Sequence, residues 1–300
     1  MIDFFIKHEQ PVFRPPREHD SLILQVTIGC SRNSCAFCAM YKSKKFRFKS
    51  VEEIEGEISR IPGPLRSGVT KVFLADGDAF CLEPAALFKI SETLFKNFEN
   101  LRHISAYANA LDITSKTPAE LKKMRAAGYK NLYIGLESGS DAVLQLMGKK
   151  GSFEAAKLAM NMAHDAGFVL SVTLLLGIGG KRYTKMHSYE SANLINACAP
   201  RFVNTLTVTL YDSAPLASIV KKGGFDMLSN VEIVDEHYDF INNLSVNRVI
   251  YRSNHVSNFI NLEGTLSKDK QKLLDALSSF GGSINDNSFL KLKTGGNYEN

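Results

Sequence analysis

The chain of 300 residues has no long apolar run, since no stretch approaches the ~20 apolar residues that a membrane-spanning helix needs. It also has no recognisable secretory leader: residues 1–10 carry charges inside their only apolar run, and no small-residue cleavage site follows. Low-complexity tracts are absent, and 44% of the residues are hydrophobic against 22% charged, which favours a folded chain. We therefore expect a folded cytoplasmic protein without a membrane span.

Cysteine is scarce, and its number, five, is odd. Cys30, Cys35 and Cys38 fall within nine residues, whereas Cys81 and Cys198 are isolated. A secreted disulfide framework needs an even set of cysteines distributed along a short chain. The observed distribution favours a reducing compartment and a metal site at the triplet, with the two isolated cysteines as small buried hydrophobes.

The charge balance is mildly basic, with a formal net charge of +5. It permits an anionic partner without requiring one, because the lysines are spread along the chain. The densest basic run is residues 42–49, Lys-Ser-Lys-Lys-Phe-Arg-Phe-Lys. A solvated loop face and a contact to phosphate or nucleic acid fit this run equally well.

Apolar, β-rich runs alternate with helical patterns, which is typical of βα units around a parallel sheet. The predicted strands are residues 21–27, 71–75, 103–107, 131–136, 169–176 and 202–210. Two predicted helices start at capping boxes, at residues 50–53 and 117–120. Three further helices are predicted at residues 84–97, 153–166 and 184–197. Six units are too few for the eight of a closed barrel. The pattern predicts an α/β fold: a partial (βα)6 barrel with a parallel sheet and a small C-terminal α/β extension.

The domain organisation expected from this pattern is a single domain with additions at both ends. An N-terminal extension covers residues 1–20, the partial barrel residues 21–230, and a C-terminal extension that closes the barrel residues 231–282. The extension is predicted to contain a helix at 231–243, a strand at 248–253 and a helix at 268–280. Residues 283–300, rich in Gly, Ser and Asn, are predicted to be a mobile tail.

The cysteine triplet lies directly after the first predicted strand, and active sites of parallel α/β folds assemble at the C-terminal ends of strands. Three thiolates on one loop can bind three irons of a [4Fe–4S] cluster and leave the fourth iron open for an exogenous ligand. A structural zinc site would need a fourth protein ligand, and no histidine has motif spacing to the triplet. We therefore predict a [4Fe–4S] cluster on Cys30, Cys35 and Cys38.

The segment Gly29-Cys-Ser-Arg-Asn-Ser-Cys-Ala-Phe-Cys38 after a strand of a six-unit α/β chain resembles the radical S-adenosylmethionine (SAM) superfamily. Within it, the sequence is most similar to the branch of Elp3, MiaB and coproporphyrinogen-oxidase-like enzymes, over residues 21–225. The common family spacing between the cysteines is three and then two residues, whereas it is four and then two here. The resemblance implies reductive cleavage of SAM to methionine and a 5′-deoxyadenosyl radical, which takes a hydrogen atom from a substrate.

The same resemblance implies SAM contacts at the ends of several strands. An aromatic residue before the last cysteine packs near the adenine, the turn after the second strand holds the methionine ammonium, and a later basic residue meets the carboxylate. The matching positions are Phe37, Asp76, Gly77, Asp78, Asn109, Glu137, Ser138, Lys150, Gly177 and Ile178. Taken singly, the aspartates could equally be helix caps, Glu137 a surface carboxylate and the glycines an ordinary turn.

A dense group of hydrogen-bonding side chains follows the strand predicted at 248–253. One interpretation is that these residues are turn formers. The other is that Arg252, Asn254 and Asn258 bind substrate and that His255 moves a proton, with Tyr41 as a second candidate catalytic residue. Residues 264–270 are expected to start the last helix, with Thr265 or Ser267 as its cap.

Three alternatives remain open at the level of sequence. One is a barrel hydrolase with structural zinc, another is an iron–sulfur electron carrier or sensor without SAM chemistry, and the third is a radical SAM enzyme that modifies tRNA. A small-molecule substrate is favoured over nucleic acid, since no RNA-binding module is recognisable. The resemblance further implies a reductant protein of the flavodoxin or ferredoxin type.

Overall fold

The computed structural model describes residues 2–281, and its backbone contacts divide the chain into two compact units. The first unit comprises the residues up to Asn33 together with Met40–Ile134 and Leu158–Leu170. The second comprises Ser34–Ala39, Gly135–Lys157 and the chain from Ser171 onward. The boundaries predicted at residues 20 and 230 do not coincide with these divisions and stay a prediction, and the tail predicted at 283–300 lies outside the described residues.

Ten strands occur in the described part of the chain. They are β1 (Leu22–Gln25), β2 (Thr27–Ile28), β3 (Arg47–Phe48), β4 (Lys71–Ala75), β5 (His103–Ala108), β6 (Tyr129–Glu137), β7 (Val169–Leu176), β8 (Phe202–Thr207), β9 (Val249–Ser253) and β10 (Leu262–Leu266). Eight of them follow the sheet order β1-β4-β5-β6-β7-β8-β9-β10, whereas β2 and β3 pair separately. The described pairs β1–β4, β4–β5, β5–β6, β7–β8 and β8–β9 are parallel, whereas β9–β10 and β2–β3 are antiparallel.

Eleven α-helices connect or follow these strands in residues 2–281. They are α1 (Val51–Ser59), α2 (Gly63–Arg66), α3 (Pro84–Asn97), α4 (Ala110–Thr114), α5 (Pro118–Ala126), α6 (Asp141–Leu146), α7 (Phe153–Asp165), α8 (Gly180–Cys198), α9 (Pro215–Lys221), α10 (Asn230–Asn242) and α11 (Lys270–Gly281). The capping boxes predicted at Ser50 and Thr117 are both formed, and each starts its helix as a Glu side chain returns to the cap backbone.

The core of the first unit includes an aromatic cluster on neighbouring parallel strands. Phe73 of β4 packs edge-to-face against Tyr107 of β5 and Tyr133 of β6. The Tyr133 hydroxyl donates to the buried Glu18 carboxylate at 2.6 Å. Phe73 is fully buried and Tyr133 nearly so, and these rings form part of the apolar core of this unit.

The second unit contains a larger apolar cluster beneath the turns that follow β7 and β8. Its buried members are Ala36, Val143, Met147, Ile178, Val208, Leu210, Leu216, Ala217 and Phe225. Helices α8 and α10 belong to the same unit and pack closely on each other. Ile233 of α10 also packs in one buried cluster with Leu176, the last residue of β7.

The predicted mixed α/β fold, with a mainly parallel sheet and a C-terminal α/β extension, is confirmed. The six predicted strands are each present within three residues of their expected ends, and the strand and two helices of the extension are also formed. One prediction was wrong. Thr265 is not a helix cap but pairs with Ile250 in strand β10, and α11 starts only at Lys270.

Candidate cluster and cofactor site

Cys30 of the first unit follows Gly29, whose φ of +77° suits glycine best. It lies against Gly77, in the turn after β4. A Cβ on Gly77 would stand 2.5 Å from the Cβ of Cys30 and 3.1 Å from its Sγ. Only a residue without a side chain lets this turn approach Cys30 so closely, and this close approach explains why position 77 is a glycine.

Asp76, which precedes Gly77, is fully buried and surrounded by donors of its own unit. Its carboxylate accepts hydrogen bonds from the Gly29 backbone N at 2.8 Å, from Gln25 Nε2 at 3.1 Å and from Lys44 Nζ at 2.8 Å. Both oxygens are engaged by these contacts. Asp76 therefore fixes the backbone immediately before Cys30.

Asp78 makes the matching contacts on the other side of Cys30. It accepts from the Ser31 backbone N at 3.0 Å, from the Ser31 hydroxyl and, at 3.4 Å, from Asn109 Nδ2. Asn109 is also the N-cap of α4, where its side chain accepts from Asp112 N at 3.1 Å. The predicted residues Asp76, Asp78 and Asn109 are thus brought to Cys30, but as supports of its backbone.

Sequence reasoning missed an ion pair between Arg32 and Asp112. Arg32 lies two residues after Cys30, and its guanidinium is 3.2 Å from the Asp112 carboxylate. Burial, reinforced by the charge of Asp78, raises the pKa of Asp112 to about 6. The capping box Asn109-Ala-Leu-Asp112 was the signal that could have identified the second residue. The pair adds a second connection between the cysteine segment and α4.

The basic run at 42–49 is only partly a solvated face, because Lys45 and Arg47 are exposed whereas two of its lysine side chains are not. Lys44 and Lys49 are nearly buried and pair with Asp76 and Glu57, while Arg47 bridges two acidic residues. Lys42 Nζ donates to the Asn33 carbonyl at 2.6 Å. Four of the five basic side chains of the run therefore contact other residues of the first unit.

Tyr41, a candidate catalytic residue, is buried in the first unit. Its ring packs edge-to-face on Phe13 at 5.8 Å, and the Lys44 ammonium lies 5.4 Å from its centroid. Its backbone carbonyl accepts from Asn33 Nδ2 at 2.7 Å. These contacts give Tyr41 a packing role beside the cysteine segment.

Cys35 and Cys38 belong to the second unit, and two backbone hydrogen bonds hold Ala36, one of the two residues between them. Ala36 N donates to the Met147 carbonyl at 2.8 Å, and Leu216 N donates to the Ala36 carbonyl at 2.9 Å. Phe37 packs against the apolar cluster that contains Ile178. The predicted pair Phe37 and Ile178 is therefore placed in one apolar environment.

Glu137 ends β6 in a conformation that is uncommon for its residue type, with a φ of +64°. Burial raises the pKa of its carboxyl, and Lys149 Nζ lies 3.6 Å away. Gly135 leaves room for this side chain, because a Cβ there would meet Glu137 Oε1 at 2.3 Å. Lys150, which was predicted to meet the SAM carboxylate, is exposed, so the basic residue beside Glu137 is its neighbour Lys149.

Gly177 ends β7 with a φ of +80°, and a Cβ there would meet Ile233 Cδ1 of α10 at 2.5 Å. Its backbone N donates to Glu236 Oε1, also of α10, at 2.6 Å. Ser138, after β6, contacts His187 Nδ1 of α8 at 2.8 Å. The two predicted strand-end turns are therefore held by α8 and α10.

The residues predicted to bind substrate divide into two groups. Asn258 is a structural residue in this conformation, because its amide contacts the Thr205 carbonyl, Ser253 Oγ and Thr207 Oγ1 at 2.7–3.0 Å. Arg252 Nε lies 3.7 Å from Glu263. Asn254 and His255 are exposed, and the His255 ring contacts Ser257.

The donor chemistry of the cysteine segment fits an iron–sulfur cluster. All three cysteines are partly exposed thiols, and Gly77 leaves the space next to Cys30 that a side chain would fill. Among residues 2–281, no three His, Cys, Asp or Glu side chains are already arranged to hold a metal ion. The assignment of the metal therefore rests on the spacing and type of these donors.

The helices in the described part of the chain are all too short or too polar to cross a membrane.

Solved structures with similar folds include three radical SAM enzymes. Coproporphyrinogen III oxidase (HemN) from Escherichia coli matches with a TM-score of 0.57 and 19% identity, over 74% of this chain and 52% of its own. Methylornithine synthase (PylB) matches at 0.51 and 16%, over 86% and 81%, and Elp3 from Methanocaldococcus infernus at 0.51 and 14%, over 79% and 59%. At such identities the likeness shows the fold alone, that of a radical SAM partial barrel.

The chain spans only a part of several other matched structures, between 24% and 50% of their own length for three of them. No curated protein sequence matches it significantly.

The family comparison covers more than half of the chain. Residues 24–187 match the model of the radical SAM superfamily, and this range contains the cysteine segment, both aspartates of the Gly77 turn and the turns that follow β6 and β7. With the mainly parallel sheet, this match settles the family. The chain belongs to the radical SAM superfamily of enzymes.

Proposed function

We propose that this enzyme binds one [4Fe–4S] cluster through Cys30, Cys35 and Cys38 and cleaves SAM reductively, so that a 5′-deoxyadenosyl radical removes hydrogen from a small-molecule substrate. The observation that carries the proposal is the family match over residues 24–187, which includes all three cysteines. The tight contact between Gly77 and Cys30 supports it, because this contact holds the turn after β4 against the first cysteine.

The chain's own contribution begins with the position of the thiolates. Asp76 and Asp78 hold the backbone on either side of Cys30, and the contacts of Ala36 with Met147 and Leu216 hold the backbone between Cys35 and Cys38. We propose the two aspartates as positioning residues, in place of the ammonium contact expected from sequence, because their oxygens already accept hydrogen bonds from the chain.

When bound, the cluster and SAM supply a low-potential electron and a carbon–sulfur bond whose cleavage yields the radical. Phe37 and Ile178 offer an apolar surface suited to the adenine, and the Gly177 turn offers backbone at a position where no side chain fits. Glu137 and Lys149 present opposite charges suited to the ribose hydroxyls and the carboxylate. Lys149 replaces Lys150 in this assignment.

Contacts within the basic run favour a small-molecule substrate over tRNA. Since Lys44, Arg47 and Lys49 pair with acidic residues of the chain, they are less available to phosphates than a solvated run would be. We further propose a cytoplasmic location and a flavodoxin- or ferredoxin-type reductant.

The cluster assignment is tested by iron and sulfide analysis after anaerobic reconstitution. The wild type should hold about four irons per chain, and Cys30→Ala, Cys35→Ala and Cys38→Ala should each hold far less, since three thiolates are the ligand set. Cys198→Ala is the matched control: burial raises the pKa of that thiol to about 11, and Sγ contacts the Lys157 carbonyl. Equal iron in the wild type and the triplet variants would contradict the assignment.

A further inference from the structure

A buried polar network in the second unit joins the turns after β6 and β7 to the C-terminal extension. Its centre is Glu236 of α10, which is 1% exposed. One carboxylate oxygen accepts from Gly177 N at 2.6 Å, and the other accepts from Thr184 Oγ1 of α8 at 2.6 Å. A buried carboxylate is costly unless donors surround it, so these two contacts define where the Gly177 turn lies.

His187 of α8 continues the network to the other turn. It is 2% exposed, its Nε2 stands 3.8 Å from Glu236 Oε1, and its Nδ1 stands 2.8 Å from Ser138 Oγ. Ser138 Oγ also accepts from Ser140 N at 2.9 Å, which leaves its own proton available for a hydrogen bond to Nδ1. Burial lowers the pKa of His187 to about 4, and the ring is therefore neutral near pH 7.

Packing around the network leaves little freedom to either turn. A Cβ on Gly177 would collide with Ile233 of α10, and a Cβ on Gly139 would stand 2.4 Å from the Glu190 carbonyl of α8. Gly139 N also donates to Ser191 Oγ at 2.9 Å. Helices α8 and α10 thus restrict both turns, since Glu236 contacts the Gly177 turn and the neighbouring His187 contacts the Ser138 turn.

We propose that Glu236 and His187 form a positioning pair through which helix α10 sets the SAM affinity of the Gly177 and Ser138 turns. This inference rests on the proposed function, in which both turns contact SAM. Neither residue touches SAM in this account. Their effect is to hold the Gly177 backbone and the Ser138 hydroxyl in one arrangement before SAM binds. Residues outside a metal's coordination sphere orient the metal ligands of other proteins in the same way.

The pair gives the affinity a pH dependence. Burial raises the pKa of Glu236 to about 7, Asp239 adds to the rise, and Lys185, Thr184 and Gly177 N oppose it. The ionised carboxylate accepts both hydrogen bonds, whereas protonation removes the charge that strengthens them. SAM affinity should therefore fall as the pH is lowered through about 7, and His187, already neutral, should not contribute above pH 6.

The test is calorimetric titration of SAM into the reconstituted, unreduced protein between pH 6 and pH 8.5. Glu236→Gln should raise the Kd about tenfold at pH 8, in line with losses for outer-contact residues, and should lose most of the pH dependence. Asp235→Asn, the same type of change on the same helix, should follow the wild type, because Asp235 is exposed. Any titration of SAM itself affects all three proteins equally.

The partnership with His187 is tested by a double variant. If the two residues act as one unit, Glu236→Gln with His187→Gln should bind SAM about as weakly as the worse single variant, whereas independent sites would multiply their effects. Should Glu236→Gln lose its circular dichroism spectrum, Thr184→Val carries the same test, since it removes one donor and leaves the carboxylate in place. Wild-type affinity and an unchanged pH profile in Glu236→Gln would overturn the inference. Absence of SAM binding in every protein, wild type and control included, would instead overturn the proposed function beneath it.

Discussion

At the scale of single residues, Cys30, which we propose as a cluster ligand, is held by residues that we do not propose as ligands. Asp76 and Asp78 hold the backbone before and after it, and Gly77, which has no side chain, lets the turn after β4 lie against it. The turn that the sequence suggested as a contact for an ammonium group therefore makes hydrogen bonds and packing contacts to the cysteine segment. The sequence indicates that carboxylates lie near the site, but it does not show which donors form hydrogen bonds with them.

Gly77→Ala tests this support directly. The new methyl group would lie 2.5 Å from the Cβ of Cys30, far inside van der Waals contact, so the turn or Cys30 must move. We expect iron content after reconstitution to fall several-fold, measured together with the absorbance of the cluster.

Gly56→Ala in helix α1 is the matched control, since nothing lies within 4 Å of a Cβ at that position. It should load iron as the wild type does and stabilise the protein by about 0.5–1 kcal/mol, because alanine is the better helix former. Full iron loading in Gly77→Ala would show that the close contact is not needed.

Residue-scale prediction from the sequence was limited by one-residue ambiguities. Lys149 and Lys150 are adjacent, and only the structure shows that Lys149 faces Glu137 while Lys150 is exposed. Asn258 was predicted to bind substrate because of its polar type, yet its amide is consumed by contacts with β8 and β9. Side-chain direction and hydrogen-bond competition within the chain are not encoded in residue type alone.

At the scale of elements, the parallel strands were predictable, and the last antiparallel one was not. Strand β7 carries a long apolar run and is buried at most of its positions, and this pattern was recognised within a few residues. Strand β10 buries only its two terminal leucines and contains Gly264, so it has little strand-like pattern. Its pairing with β9 is a tertiary effect that local sequence does not reveal.

Helices α8 and α10 each carry a buried histidine, and this predicts acid sensitivity. Burial lowers the pKa of His187 to about 4 and that of His237 to about 3. Both pKa values lie below the ordinary value of about 6.5, so the unfolded chain binds more protons as the pH falls from 6.5 toward 4, and stability is lost over that window. Glu236, Asp112 and Glu137, whose pKa values burial raises, act in the opposite direction, so the contribution of a histidine has to be measured as a difference from the wild type.

We therefore expect a fall in pH from 7 to 5 to lower the melting temperature of the wild-type apoprotein more, or raise it less, than that of His187→Gln, because the variant lacks one of the two histidines. Calorimetric scans of both apoproteins measure this difference. His164→Gln changes an exposed histidine at the end of α7 and should respond to pH as the wild type does. An equal pH response in His187→Gln and the wild type would contradict the linkage.

At the scale of the whole molecule, the family and the reaction class were within reach of the sequence, because a triplet of cysteines after a strand is a specific pattern. The cysteine segment, all or part of five predicted strands and the turns after β6 and β7 fall in the matched range 24–187, whereas the sixth predicted strand, 202–210, lies beyond it. The chain continues beyond that range with the elements that carry Glu236, Tyr251 and Asn258. The substrate depends on side chains outside any shared motif, which is why the sequence did not specify it.

The most direct test of the central proposal is the formation of 5′-deoxyadenosine. Reconstituted protein, reduced with dithionite and mixed with SAM under anaerobic conditions, should produce 5′-deoxyadenosine and methionine in equal amounts, and a variant with Cys30, Cys35 and Cys38 all changed to Ala should produce neither. A protein that holds about four irons per chain but forms no 5′-deoxyadenosine would contradict the account and favour an electron carrier or sensor.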